Sequence, residues 1–293
     1  MQSNFFIVGA PKCGTTAWAS YLSDHPAIFV PRAKEPHYFN TDQPGFRWAK
    51  SLEEYCNHFR GHDGEEIILD ASVQYLYSAE AAHNIAEFNP GSKILIMLRR
   101  PSAFIRSYHN QLILNLDENI KNLRNAWEAS GHRSSGDIPA TNRDRSLLDY
   151  KRVGQFSEQV ARYLEVFDHS QVMVVFMEDW TKDPRALYLR LIEFLRVDDD
   201  GRTDFPQVHA ARHVSSLTLH RLTQRPPSLL KSAVRLARAL PGMGRIKPVS
   251  LLRKMNSRSG YSSVSPDVEL AQEIDDYFAK DQDRLRKLLR IKP

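Results

Sequence analysis

The chain has 293 residues, 42% hydrophobic and 26% charged, a balance that supports one sizeable buried core and excludes a disordered or fibrous chain. Its formal charge of +5 favours anionic partners such as phosphates, sulfates or acidic glycans, although charge alone does not choose among them. The two cysteines, Cys13 and Cys56, lie far apart without metal-ligand spacing, which argues against a disulfide framework or a structural zinc site.

Met1 to Ala10 has no basic region ahead of an apolar stretch, and no uncharged apolar run reaches about 18 residues. The expectation is a cytoplasmic chain without a transmembrane segment. Phe5 to Val8 reads as a buried strand ending at Gly9, and after a short loop Trp18, Tyr21 and Leu22 share one helical face. Ile67 to Leu69, Ile94 to Leu98 and Val172 to Phe176 read as further strands. Their continuous apolar character suits a parallel sheet covered on both faces. Helical patterns fall at Ser78 to Phe88, Ser102 to Leu116, Phe156 to Phe167, Pro184 to Leu195 and Pro266 to Leu289. Strand and helix alternate, which predicts an α/β fold: a P-loop-like central parallel sheet flanked by helices, in a single domain over 1–293.

Two stretches break the alternation. Ser130 to Arg145 is polar and rich in Gly, Ser, Asn and Arg, and reads as a mobile surface loop. Arg221 to Arg258 carries ten Lys or Arg and no Asp or Glu, with Leu229, Leu230, Val234, Leu236, Ala237 and Leu240 spaced for an apolar helical face. This mostly helical basic segment, 220–258, reads as a packed surface helix, a lid over an anionic substrate or a membrane contact.

The loop Gly9-Ala10-Pro11-Lys12-Cys13-Gly14-Thr15-Thr16 joins the first strand to the first helix. Free amides and the positive end of the helix dipole make such a loop a phosphate cradle. It has the length of a Walker A loop, but Thr15 stands where that pattern needs lysine, and the lysine present is Lys12. Downstream, Arg99 leaves the end of a strand and Ser107 lies two turns into the next helix. Pro31-Arg32-Ala33-Lys34-Glu35-Pro36-His37-Tyr38-Phe39 places a carboxylate and an imidazole close together, either of which suits proton transfer near neutral pH.

The displaced lysine and Thr-Thr pair resemble the 5′-phosphosulfate loop of sulfotransferases that use 3′-phosphoadenosine 5′-phosphosulfate (PAPS). The spacing of Arg99 and Ser107 is similar to that family's 3′-phosphate site. Lys34 to Phe39 resembles the Lys-Glu-x-His-Phe-Phe stretch of heparan-sulfate-type and bacterial members. Leu69-Asp70-Ala71-Ser72-Val73-Gln74-Tyr75 resembles their strand end, with Ala71 where some glycan-modifying members carry a catalytic lysine and Val73 in place of proline. Asn256 to Tyr261 matches more loosely a basic loop before the last helix.

The resemblance implies transfer of a sulfuryl group to a hydroxyl or amine of a small-molecule or sugar acceptor, releasing adenosine 3′,5′-bisphosphate, with no metal and no nucleic-acid partner. Lys12, Cys13, Gly14, Thr15 and Thr16 would hold the 5′ side of the donor; Arg99 and Ser107, with Arg258 and Gly260, would hold the 3′ side. Glu35 is the implied base, with His37 its rival and Lys12 the charge-neutralising group. Lys34, His37, Tyr38 and Tyr75 would meet the acceptor. Two other readings remain open from the residues: a P-loop small-molecule kinase or NTPase, for which Ile67 to Asp70 passes as a Walker B strand, and a non-catalytic nucleotide-binding protein.

Overall fold

The computed structural model describes residues 2–133, 138–206, 212–214, 257–259 and 267–290. Strands β1 (Phe5–Gly9), β2 (Ile28–Phe29), β3 (Ile67–Asp70), β4 (Lys93–Leu98) and β5 (Val172–Phe176) form one parallel sheet in the order β2-β3-β1-β4-β5. Every residue of β1 and β3 is buried, as apolar runs without alternation require when both faces are covered. The helices are α1 (Thr15–Leu22), α2 (Leu52–Asn57), α3 (Ala81–Phe88), α4 (Pro101–Asn115), α5 (Leu123–Glu128), α6 (Tyr150–Val153), α7 (Phe156–Val166), α8 (Met177–Trp180), α9 (Pro184–Leu195) and α10 (Val268–Leu288). Trp18 on α1 meets Trp180 of α8 edge-on and stacks against Tyr188 of α9. A second group joins α10 to α4 and α7, and α3 to α7.

β1 is central, and the chain pairs β3 on one side of it before β4 pairs on the other. Such a reversal leaves a crevice at the carboxyl ends of the strands, where open α/β sheets take ligands. The loops after β1, β3 and β4 all lie at that edge.

The strands and α9 fall where the sequence places them. Helix α3 starts later than its pattern because the Ser78 hydroxyl accepts from the amides of Glu80 and Ala81, turning the chain before the helix. Leu116 takes a left-handed conformation and ends α4. β2 is too short to have been read as a strand.

The stretch 130–145 departs from the mobile loop expected of it where it is described. Arg133 pairs with Glu118 at 2.9 Å and Arg143 with Asp117, both carboxylates fully buried, so the described ends are anchored to the core. Residues 134–137 lie outside the described residues. So does most of the basic segment, 215–256, and the reading of 220–258 as lid or surface helix falls there. At its base β6 (Arg212–Val214) pairs antiparallel with β7 (Ser257–Ser259), and β6 contacts α4. Among the described residues no helix is long and apolar enough to cross a membrane.

Candidate active site

β1 ends at Gly9, with φ at 143°; a Cβ there would stand 2.6 Å from the Val73 carbonyl oxygen and 2.9 Å from Leu76 Cβ. Only glycine allows that approach, which the Leu76 amide seals by donating to Val8 O at 2.8 Å. The chain then turns: Cys13 N–H donates to Ala10 O at 3.3 Å, and Gly14, at φ 93°, caps α1 without a side-chain hydrogen bond. The first-turn amides of α1 have no intrahelical acceptor and carry the positive end of its dipole. The Cys13 amide, expected in the cradle, is already committed to this turn. Its thiol is buried, which pushes its pKa up, and the amides of Gly14, Thr15 and Thr16 have no acceptor among the described residues. Thr15 is buried and Thr16 half-buried at the mouth.

Trp180 closes the back of this loop. A Cβ on Gly14 would meet its Cζ2 at 2.4 Å. Gly14→Ala combines that overlap with a left-handed backbone and is expected to weaken adenosine 3′,5′-bisphosphate binding at least about tenfold, measured by calorimetric titration, since each such strain costs on the order of 1–3 kcal/mol.

Lys12 also takes a left-handed conformation, at φ 67°, and its ammonium donates to Gln111 Oε1 of α4 at 3.1 Å. Partial burial and the neighbouring charge of Arg99 lower its pKa. Arg99 is half-buried at the end of β4, and neither its guanidinium nor the Ser107 hydroxyl has a hydrogen-bond partner among the described residues. Arg100 differs: its side chain pairs with Asp275 of α10 at 2.7 Å, the same carboxylate that accepts from Ser102 at the start of α4. Of the adjacent arginines, Arg99 is therefore the one without an ion pair among the described residues. Ser107 and Gln111, one turn apart, share the α4 face toward Lys12.

The segment after β2 is laid over the end of β3. Ala71 N–H donates to Lys34 O at 2.8 Å, and Ala49 N–H donates to Pro36 O at 2.9 Å. Between these ties Glu35 is gripped from both sides, by the Lys34 ammonium at Oε1 and by His37 Nε2 at Oε2, 3.2 Å away. Burial alone would raise the Glu35 pKa, but the hydrogen bond from His37 and the charge of Lys34 outweigh it and hold the carboxyl to about 2. The His37 ring is buried; its Nε2 faces Glu35, and its Nδ1 has no partner among the described residues. Glu35 is the more exposed of the pair.

The remaining expected residues separate into two groups. Tyr38 is half-buried, stacked on Tyr55 and covered by the Arg47 guanidinium. Tyr75, expected to meet the acceptor, is fully buried, and its hydroxyl is committed to Asp70 and to the amides of Tyr38 and Phe39. It supports the loop from below. Arg258 is in β7, its backbone opposite His213, and Gly260 lies outside the described residues. Asp70 accepts from Ser72, Tyr55 and Tyr75, so its oxygens are filled by protein donors, which disfavours a Walker B role. Sequence reading missed Gln111, although its spacing of four from Ser107 was a usable signal. It also missed Trp180, for which a short helix after β5 gave none.

The family model described as the sulfotransferase domain matches residues 2–205. A crystal structure of a sulfotransferase from Alicyclobacillus acidocaldarius is similar, with a TM-score of 0.63 and 30% identity, covering 86% of this chain and 99% of that one. The mouse bifunctional heparan sulfate N-deacetylase/N-sulfotransferase 4 is 27% identical over 202 residues, 66% of this chain and 22% of that protein. Mouse heparan sulfate glucosamine 3-O-sulfotransferase 5 is 30% identical over 107 residues, 36% of this chain and 30% of that protein. The chain thus matches less than a third of the length of these curated relatives.

Proposed function

The chain belongs to the sulfotransferase domain family, and we propose that it moves a sulfuryl group from PAPS to a hydroxyl or amine of a small-molecule or sugar acceptor, releasing adenosine 3′,5′-bisphosphate. The observation that carries this reading is the convergence, at one sheet edge, of an uncapped α1 amino end, Lys12 against Gln111, and Arg99 and Ser107, whose side chains have no hydrogen-bond partner among the described residues. The residues fit a doubly phosphorylated nucleotide. Amides and hydroxyls from Gly14 to Thr16 would hold its 5′-phosphate, and Arg99 with Ser107 its 3′-phosphate. Arg258 and Gly260 would add to the latter from the basic segment.

In the proposed reaction a bond forms between the acceptor atom and sulfur as the bond from sulfur to the 5′-phosphate oxygen breaks. Glu35 takes the acceptor proton. A carboxylate held near 2 is a weak base toward a free hydroxyl, but the hydroxyl becomes strongly acidic as it bonds to sulfur, and the proton is taken late. His37 is less suited: its Nε2 faces Glu35 and its other nitrogen is buried. Lys12 neutralises the charge left on the departing phosphate oxygen, with Arg99 behind it, in place of a metal ion. Lys34, His37 and Tyr38 would flank an acceptor that approaches Glu35. Ala71 in the place of a lysine favours a small acceptor over a heparan-type polymer, and two unpaired thiols fit a cytoplasmic setting.

The test is transfer of label from sulfur-labelled PAPS across a panel of phenols, alcohols, amino sugars and amines, after calorimetry of adenosine 3′,5′-bisphosphate in the presence of EDTA. Micromolar binding without metal and labelled product are expected. ATP turnover dependent on Mg²⁺, with no bisphosphate binding, would instead favour a kinase or NTPase.

A further inference from the structure

Asp70 ends β3 with no exposed surface. Its Oδ1 accepts from the Ser72 hydroxyl at 2.6 Å and the Ser72 amide at 3.0 Å; its Oδ2 accepts from Tyr75 at 3.0 Å and Tyr55 at 3.1 Å, and Tyr55 is in turn bonded to Ser3. Two of these hydroxyls have a second function. Ser72 Oγ accepts the His37 amide at 2.9 Å, and Tyr75 Oη accepts the amides of Tyr38 at 2.9 Å and Phe39 at 3.4 Å.

A carboxylate can only accept hydrogen bonds, so Ser72 and Tyr75 must point their protons at Asp70. Their lone pairs are thereby turned to the amides of residues 37–39. A protonated acid or an amide at this position could donate, which would reverse a hydroxyl and set a proton against a loop N–H. The loop needs this hold: His37 sits at φ 47°, a conformation a histidine takes at a cost, and its ring reaches Glu35. An unpaired carboxylate in a core is itself costly, and no hydrogen-bonding cation meets this one among the described residues; the nearest basic ring is that of His37.

We propose that Asp70 is a positioning residue for sulfuryl transfer, its buried carboxylate orienting the Ser72 and Tyr75 hydroxyls so that they fix the backbone of residues 37–39 and hence the placement of Glu35. This rests on the reading of Glu35 as base. The titratable groups that face Asp70 are His37 from the loop after β2, Tyr55 from α2, Tyr75 beyond β3 and Tyr163 from α7. Burial pushes Asp70 up to about 6, against the hydrogen bonds it accepts, whereas Glu35 stays ionised down to about 2. The kcat profile is therefore expected to fall below pH about 6 from Asp70. Stability does not fall with it. A carboxyl whose folded pKa is raised binds its proton more tightly in the fold, so between about 6 and its ordinary value acidification adds stability from this group.

Asp70→Asn and Ser72→Ala are expected to lower kcat at least about tenfold each, with bisphosphate affinity within about twofold of the parent. Ser72→Thr should recover most of what Ser72→Ala loses. The acid limb should be absent in Asp70→Asn, and in a Glu35→Gln background Ser72→Ala should cost nothing more, since there is no base left to position. Thermal melts identify any variant that fails to fold, in which case Tyr75→Phe provides the same comparison through the other hydroxyl. An unchanged kcat in a folded Ser72→Ala or Asp70→Asn, an acid limb that survives in Asp70→Asn, or an equal loss in the Glu35→Gln background overturns the proposal. Activity retained in Glu35→Gln alone overturns the base assignment, and the proposal with it.

Discussion

Glu35→Gln is expected to lower kcat by about 10²–10⁴-fold while leaving adenosine 3′,5′-bisphosphate binding within about twofold of the parent. The amide keeps the size of the side chain and can still meet Lys34 and His37, but it cannot take a proton from an attacking hydroxyl. Donor affinity should hold because the proposed cradle, Arg99 and Ser107 lie on other elements. Rapid-quench measurement of a single turnover, with calorimetry of the product nucleotide, separates the two effects. The folded pKa of about 2 also fixes a pH expectation. A carboxyl whose pKa is depressed in the fold contributes stability above its ordinary value and loses it as pH falls through about 2, so Glu35 remains charged across any practical assay range. An activity loss at mildly acid pH would then belong to another group. Retention of more than half the activity in Glu35→Gln would move the base to His37, despite the buried Nδ1 and engaged Nε2 of that ring.

The sheet was legible because parallel strands buried on both faces are written as unbroken apolar runs, and Phe5 to Val8, Ile94 to Leu98 and Val172 to Phe176 each fill one. The turn of the loop after β1 was legible for a related reason: the glycines at 9 and 14 mark places where a Cβ cannot fit, and their spacing survives in one dimension. Distances between loops do not. Nothing in the order of residues says that Gln111 meets Lys12, that Trp180 lies against Gly14, or that Arg100 is taken by Asp275 while Arg99 has no such partner among the described residues. Tyr75 shows the limit most plainly. Its place in a motif pointed toward the acceptor, yet the turn after β3 carries it inward, and its hydroxyl is used to hold Tyr38. The anchoring of 130–145 was missed because Glu118 and Asp117, which bind Arg133 and Arg143, precede that stretch in a segment with no motif of its own.

Lys12→Ala is expected to lower kcat by about 10²–10³-fold and to weaken adenosine 3′,5′-bisphosphate by less than about tenfold. The asymmetry follows from where the charge is. In the bound donor the oxygen bridging sulfur to phosphate carries little negative charge, so a cation beside it gains little. As the bond to sulfur breaks, that oxygen becomes a full phosphate oxygen, which on the proposed reading the Lys12 ammonium would meet from its place beside Gln111. It is held there by a left-handed backbone and by Gln111, and it is kept from a carboxylate that would neutralise it, since no ion pair to Lys12 exists among the described residues. Arg99 lies close enough to depress the Lys12 pKa, a repulsion that only an anion between the two relieves. A bound bisphosphate would supply that anion, and for this reason Lys12 is expected to contribute something to product binding. Lys12→Arg should recover little turnover, because a planar guanidinium is longer and cannot present one compact charge at the same point. Gln111→Leu should cost far less than Lys12→Ala, since it removes the partner of the ammonium and leaves the charge. A loss of product affinity of tenfold or more with turnover unchanged would assign Lys12 to binding alone, and the neutralising charge would then fall to Arg99.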